Sequence, residues 1–552
     1  MASPDASSSS TSPPPPPPLS RLPVLLPLLA SPASARDAAS PPLHLLPGGE
    51  LRSSRLIHRQ SSIGIEWVST SHVYPAAYPR SHPESTAPPC SSVESRDNEA
   101  DLLGTAKSKD VESQQRHRDL ARFEEIKARY SGGLASFYPP ETEQEAQERA
   151  KELAAMAYPQ LWSCVQRLVP VEVPGGLKVR ERIARARRGQ RLKGEQEEGY
   201  TLILAHANGF HKETWEETIR SLLESLPDTL RIEEIWSLDS LGAGESGALV
   251  KETVGDVFSW LDAARDIEQL VTRCLPEMGN EAFGPRWPPT QLGARAPRER
   301  SGAMQKGRRQ RRHRRFIGVG HSVSGAAMAM LAGTRPGLFD AVILIDPVTG
   351  HKDSFSKHLD QPYTGLNQPA ATGAIVRRHT WLSGKAAGEY FRSKPFFKGW
   401  DRRVLDSYTR FCLRPLTVPG GGGAVTLATS RWSEAAVFAS SAIGCFGLAA
   451  LEHGGTRNDD ATPTKIWHLS ASSSRSVQRD VDTTAIEKAI KRGAAEGRFG
   501  AGSGAERLEK EKADHLVVQQ MPDFVGKKLA DVLRKMLLSK AEEGFKPPGA
   551  RL

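Results

Sequence analysis

Three runs of this chain, residues 200–207 (YTLILAHA), 315–322 (RFIGVGHS) and 340–347 (DAVILIDP), are apolar without polar alternation. A strand of that kind is covered on both faces, which is the signature of a parallel sheet between two layers of helices. The segments between them supply the helices. KETWEETIRSLLESL predicts a helix, EEIWSLDS a strand, VGDVFSWLDAARDIEQLVTRCL a long helix and GAAMAMLAGTRP another. This alternation predicts an α/β fold with a mostly parallel central sheet and helices on both faces. The rhythm stops over residues 350–460, which are mostly helical and carry aromatic side chains, and resumes with PTKIWHLS and the helix PDFVGKKLADVLRKML. An insertion between two sheet strands is how a helical cap over an active site is built.

The remaining segments divide by composition. Residues 1–60 are Ser/Pro-rich and read as disordered, because such a stretch buries too little apolar surface to offset ordering entropy. Within them LPVLLPLLASPASA imitates a signal peptide, but two prolines interrupt the apolar run and Asp5 offsets Arg21, so its role as a targeting signal stays open. Residues 61–140 read as a poorly ordered lead-in and linker, with an early strand within 61–80. Thr142 and Glu145 stand at capping-box spacing and open a helix expected to end near Val169. VPVEVPGGLKVRERIA then reads as two short strands across Gly175-Gly176. The core is expected over 141–349 and 461–540, the cap over 350–460 and a tail over 541–552. No run reaches the roughly 18 uninterrupted apolar residues of a membrane span, so no integral span is expected.

The five cysteines, Cys90, Cys164, Cys274, Cys412 and Cys445, are an odd count without a CxxC pair or a nearby His cluster, which argues against a metal site or a disulfide scaffold. The formal net charge of +10 is concentrated in one place: residues 282–315 hold eleven Lys/Arg and the single acid Glu299. This stretch is Pro/Gly/Arg-rich without helical or strand period and reads as a basic loop inserted into the core. Such a run can serve nuclear import or nucleic acid, but no Phe, Tyr or Trp interleaves its Arg-rich part, residues 295–315, which argues against a nucleic-acid partner.

The chemistry is concentrated at Gly320-His321-Ser322-Val323-Ser324, where an apolar strand turns at once into a helix. A serine held outward at such a turn needs small flanking residues, because the two backbones approach closely there. Gly320 meets that need, and Ser324 stands where the usual pattern has its second Gly. A nucleophilic serine also needs a base, an acid and an oxyanion site. His515, after the last expected strand, is the candidate base. Asp346, at the end of the strand following the elbow, is the candidate acid; Asp480 competes, because no carboxylate follows KIWHLS until that residue. His206-Ala207-Asn208-Gly209 ends a buried strand in small residues, and the N–H groups of Asn208 and Val323 are the candidate oxyanion donors. Tyr390, Phe391, Phe396, Phe397 and Trp400 could line an apolar acyl pocket in the cap. No metal and no cofactor are called for.

Taken in order, LAHANGFHKETWEETI, IWSLDSLGAGESGALV, GVGHSVSGAAMAMLAGTRPGLFDAVILIDPV, YFRSKPFFKGWDRRVLDSY, VTLATSRWSEAAVF and DHLVVQQMPDFVGKKLADVL resemble the α/β-hydrolase superfamily. The resemblance is to the group with a HANGF oxyanion loop found in fungal peroxisomal lipases and toxin-biosynthesis hydrolases. It implies an α/β-hydrolase fold and a serine hydrolase acting on a small apolar acyl ester or thioester, with Ser322 as nucleophile, His515 as base, and Asn208 and Val323 at the oxyanion positions. The chain departs from the pattern at Ser324, in the basic insertion, in the long N-terminus and in lacking an acid after KIWHLS. GHSVS also resembles the elbow of α/β-hydrolases that act as small-molecule receptors, so a binding protein with little turnover is the alternative, and a basic-loop nucleic-acid binder the third. Ala550-Arg551-Leu552 follows the small, basic, leucine pattern read by the peroxisomal import receptor, with cytoplasm as the alternative location.

Overall fold

In the computed structural model the described residues are 22–30, 40–60, 65–86, 109–130, 139–156, 158–172, 199–227, 230–276, 290–292, 314–349, 368–416, 423–456, 462–471, 480–509 and 513–537. Their strands, in chain order, are β1 (Arg55–Gln60), β2 (Ile65–Pro75), β3 (Trp162–Glu172), β4 (Tyr200–Ala205), β5 (Ile232–Leu238), β6 (Thr290–Gln291), β7 (Arg315–His321), β8 (Ala341–Ile345), β9 (Thr380–Trp381), β10 (Leu413–Pro415), β11 (Val425–Leu427), β12 (Lys465–Ala471) and β13 (Gly504–Leu508). The main sheet runs β1-β2-β3-β5-β4-β7-β8-β12-β13, with β6 beside β2. From β5 to β13 all neighbours are parallel, whereas β1, β2, β3 and β5 pair antiparallel.

The unbroken apolar strands are explained by two separate cores. In β8, Val342 and Leu344 join the core under the helices Trp260–Gln269, Val323–Thr334 and Cys445–His453. Ala341, Ile343 and Ile345 join the other, under Glu216–Ser225 and Pro522–Leu537. Because successive strand side chains point to opposite faces, every position must be apolar when both faces are covered.

Several boundaries differ from expectation. The helix capped by the Thr142 hydroxyl, which accepts from the Glu145 N–H at 3.1 Å, spans only Glu143–Ala155. Residues expected to continue it to Val169 form β3 instead, wedged antiparallel between β2 and β5. Pro159 cannot supply a helical N–H, and two ready strand edges outcompete the helix. Residues 22–30 and 40–60, expected to be disordered, are packed: Leu25, Leu46 and Leu51 enter the main core, and Arg265 donates to the Leu26 carbonyl at 2.9 Å. In the expected linker, the helix Lys109–Tyr130 docks through a two-pronged ion pair, Arg431 Nη1 and Nη2 meeting the Asp119 carboxylate at 2.6 and 3.1 Å. Of the basic insertion, residues 282–289 and 293–313 lie outside the described residues; Thr290–Gln291 pairs with β2, and Arg314 and Arg315 are ion-paired to Glu234 and Asp340. The Gly175-Gly176 turn, Cys90 and Ala550-Arg551-Leu552 also fall outside.

The insertion after β8 is helical with its own three-stranded sheet, β10-β11-β9. Its core, which includes Trp381, Phe391, Val404 and Tyr408, rests on Ala207 and Phe210 of the loop after β4. The helices Arg431–Ala439 and Cys445–His453, placed in the cap by sequence, belong to the main core. At Gly333, a Cβ would stand 2.3 Å from the Ala450 carbonyl oxygen, so helix Cys445–His453 lies directly on Val323–Thr334. No single described helix is long and apolar enough to cross a membrane, and the apolar bent pair 431–453 is largely buried.

Candidate active site

β7 ends at His321 and the helix Val323–Thr334 starts one residue later, leaving Ser322 as the hinge, with φ +59° and ψ −119°. This is a strained conformation for any residue with a Cβ. It is held by bonds on both sides: the Ser322 N–H donates to the Ile345 carbonyl at 3.1 Å, and the Val348 N–H donates to the Ser322 carbonyl at 3.2 Å. The turn closes only because Gly320 lacks a side chain; a Cβ there would lie 2.3 Å from the Ser324 carbonyl oxygen.

The turn brings Ser322 to His515, with Oγ 2.9 Å from Nε2, and His515 Nδ1 lies 2.6 Å from Asp346 Oδ2. If Nδ1–H donates to the carboxylate, Nε2 is left as the acceptor for the serine hydroxyl. Asp346 is itself fixed, since its N–H donates to the Leu469 carbonyl at 2.8 Å and its Oδ1 accepts from the Ala471 N–H at 3.0 Å. It too sits at positive φ, +39°. The carboxylate is thus aimed by β12, the strand beside β8. Asp480 opens the helix Asp480–Ala495, and its side chain lies outside the described residues. His515 is gripped through its backbone: its N–H donates to Asp514 Oδ1 at 2.7 Å and its carbonyl accepts from His321 Nε2 at 2.7 Å. Burial and the neighbouring His515 push the His321 pKa down to about 3, so it is a neutral donor.

The loop after β4 approaches the same point. Asn208 and Val323 both border the cavity that exposes Ser322 and His515. Val323 is the first residue of its helix, where the N–H has no intrahelical acceptor. Among the described residues the Asn208 N–H has no protein acceptor either. The Asn208 side chain is engaged elsewhere, donating from Nδ2 to the Glu434 carbonyl at 3.0 Å.

Three features here carry no sequence motif. Ser324, which replaces the expected Gly, donates from Oγ to the His206 carbonyl at 2.6 Å and so ties the elbow to the loop. Below the loop, Lys212 is buried among Asp239, Glu245 and Glu213, with Nζ–O distances of 3.0, 2.6 and 3.1 Å, and Arg52 adds a second cation at 3.0 Å from Glu245. Burial opposes the charge on Lys212, but these carboxylates hold its pKa well above the ordinary value; burial likewise opposes Glu213, which Lys212 keeps well below the usual carboxylate range. Above the loop lies Glu434, ion-paired with Arg377. Burial raises its pKa against the opposing pull of Arg377. Gly209, at φ +79°, presses against it, since a Cβ there would stand 2.8 Å from Oε1. Apart from the adjacent Lys212 and Glu213, the partners in these clusters come from separate stretches of chain, so spacing could not have found them.

The cavity measures about 920 Å³, at the upper end of what small-molecule sites occupy. Tyr390, Phe391, Phe396 and Phe397 line it from the cap, joined by Tyr408 and Trp260. Trp400, expected in this wall, instead packs inside the cap, edge-on to Phe210 at 5.2 Å and against Tyr408 at 5.3 Å. Among the described residues no group of three or more His, Cys, Asp or Glu is arranged to hold a metal ion.

Residues 202–526 match the model of the alpha/beta hydrolase family. A type I acyl-CoA thioesterase of Penicillium roqueforti is 26% identical over 222 residues, 40% of this chain and 41% of the relative. An abhydrolase domain-containing protein, AFT2-1 of Alternaria alternata, is 32% identical over 121 residues, 22% of this chain and 42% of the relative. The chain thus spans about two fifths of the length of these curated relatives. Among solved structures, the peroxisomal alpha-beta-hydrolase Lpx1 of Saccharomyces cerevisiae aligns with a TM-score of 0.46 at 15% identity, covering 70% of this chain and 86% of that one.

Proposed function

The chain belongs to the alpha/beta hydrolase family, and from that premise we propose that it is a serine hydrolase cleaving an ester or thioester of an apolar acyl group. The observation that carries this reading is the hydrogen-bonded series Ser322–His515–Asp346 opening onto a largely apolar cavity. Ser322 Oγ attacks the carbonyl carbon as His515 Nε2 takes its proton, and Asp346 stabilises the resulting imidazolium and holds its tautomer. The N–H groups of Val323 and Asn208 receive the oxyanion. As the tetrahedral intermediate collapses, His515 returns the proton to the departing alcohol or thiol. Water, activated by the same imidazole, then releases the acid and restores Ser322. The thioester option is supported by the relative named as an acyl-CoA thioesterase.

The test is labelling with a fluorophosphonate, read by intact mass and by the modified peptide. A single adduct on Ser322, absent from Ser322→Ala, together with turnover of medium-chain acyl esters or thioesters, is the expected result. Folded protein that takes no adduct and turns over neither substrate class would overturn the reading in favour of a binding protein.

A further inference from the structure

The cavity that exposes Ser322 and His515 is not apolar at its cap side, where Arg378 and Lys394 also form its wall. Both cations stack on one ring: the Arg378 guanidinium lies 5.6 Å and the Lys394 ammonium 4.5 Å from the Tyr390 centroid. Tyr390 is thereby a scaffold that holds two positive charges together at the rim, an arrangement that like-charge repulsion alone would disperse. Among the described residues neither cation has a carboxylate within ion-pair distance; Arg378 donates only from Nε, to the Thr380 carbonyl at 3.1 Å, leaving its two terminal nitrogens unused.

The other charged groups of the cavity are spoken for. Arg377 is consumed by Glu434. Asp514 is engaged beside the base, where its carboxylate accepts the His515 N–H. The wall therefore combines an acid engaged beside the base, aromatic side chains, and two cations without an ion pair among the described residues.

We infer that Arg378 and Lys394 form a subsite for an anionic group, a carboxylate or a phosphate, carried by the substrate at a distance from its scissile carbonyl. This deepens the hydrolase reading and rests on it, since it assigns the same cavity a substrate that is apolar in the middle and negatively charged at one end. A guanidinium with two free nitrogens can meet two oxygens of one anion, while the ammonium adds a third contact. Because both side chains are exposed, the attraction is screened by salt.

The experiment measures binding rather than turnover. Calorimetric titration of octyl phosphate, octanoate and octanol into the Ser322→Ala protein at low and high salt is compared with the same titrations into Ser322→Ala carrying Arg378→Gln and Lys394→Gln. The expected result is that at least one anionic ligand binds about tenfold tighter than octanol, that this preference falls to within about twofold when the two cations are neutralised, and that it shrinks in high salt. Phosphate and carboxylate are distinguished by which of the two carries the preference. Equal affinity for all three ligands, or a preference that survives loss of both cations, would overturn the inference. Failure of the hydrolase reading is separate: it appears as an unlabelled Ser322 whatever these titrations show.

Discussion

The turn at Ser322 and the loop after β4 meet at the same cavity, yet they are held in opposite ways. The elbow is a matter of shape. Its strain is sustained by close approach of Gly320 to the Ser324 carbonyl and of Gly325 to Pro347, which leaves no room for added side-chain volume. The loop is a matter of charge. It rests on buried Lys212, Glu213, Asp239 and Glu245 with the partly exposed Arg52, two cations and three carboxylates gathered from four separate stretches of chain. The difference teaches that one half of the site should fail when volume is added, and the other when a charge is removed.

The largest expected effect lies in neither support but in the groups they present. Ser322→Ala and His515→Ala should each lower kcat/KM by about 10⁴-fold or more, and the double variant little further, because the two act as a unit; near-additive losses would sink the shared mechanism. Next comes the charge-built half. Lys212→Met leaves three buried carboxylates undercompensated and should cost about 3–5 kcal/mol in urea unfolding; a loss under about 1 kcal/mol would mean that Arg52 or water neutralises the cluster unaided. The shape-built half is expected to be softer in stability: Gly320→Ala places a Cβ 2.3 Å from a backbone oxygen and should cost about 1–3 kcal/mol by overpacking, while abolishing Ser322 labelling because the hinge must open. Retained labelling would show that the elbow is not sterically fixed.

Acid should expose a further contrast. Burial and His515 push the His321 pKa down to about 3, and burial pushes that of His468 to about 4. In the unfolded chain both titrate near about 6.5. Between those limits the unfolded state binds protons that the native state refuses, so stability falls as pH drops below about 6.5, by up to about 1.4 kcal/mol per pH unit for each histidine. His468→Asn should flatten that slope by one histidine's share in denaturant titrations across pH 6.5 to 4; an unchanged slope would remove His468 from the account. The smallest effect is reserved for the tie between the halves. Ser324→Ala removes the bond to the His206 carbonyl and should cost about 1 kcal/mol, lowering kcat with KM nearly unchanged; a loss in KM alone would show that Ser324 shapes the pocket rather than the loop.

Much of this was legible in sequence where the physics is local. The elbow, the β4 loop and the doubly covered strands are written in consecutive residues, because a strand-to-helix turn needs small neighbours and a two-faced strand needs unbroken apolar side chains. Legibility failed where a partner came from elsewhere. WSCVQRLV read as helix and became β3 because the edges of β2 and β5 were waiting for it. The Ser/Pro-rich start read as disorder, yet Leu25 and Leu46 found apolar cover that only the folded core provides. Trp400 read as pocket wall and turned inward, because Phe210 and Tyr408 offered a better aromatic contact.

The choice of acid shows where the boundary lies. The sequence by itself determined that an apolar parallel sheet would carry a serine at one strand end and a histidine near the chain's last helix. It also narrowed the acid to Asp346 or Asp480. Only the tertiary structure set Asp346 against the histidine, because β12 lies parallel to β8 in a register that pairs Leu469 with Ile345 and brings the Ala471 N–H to the Asp346 carboxylate. The same is true of Arg377 beside Glu434, and of Arg378 and Lys394 on one ring. Electrostatic partners are chosen by distance in space, which strand register and cap packing decide and sequence spacing does not record.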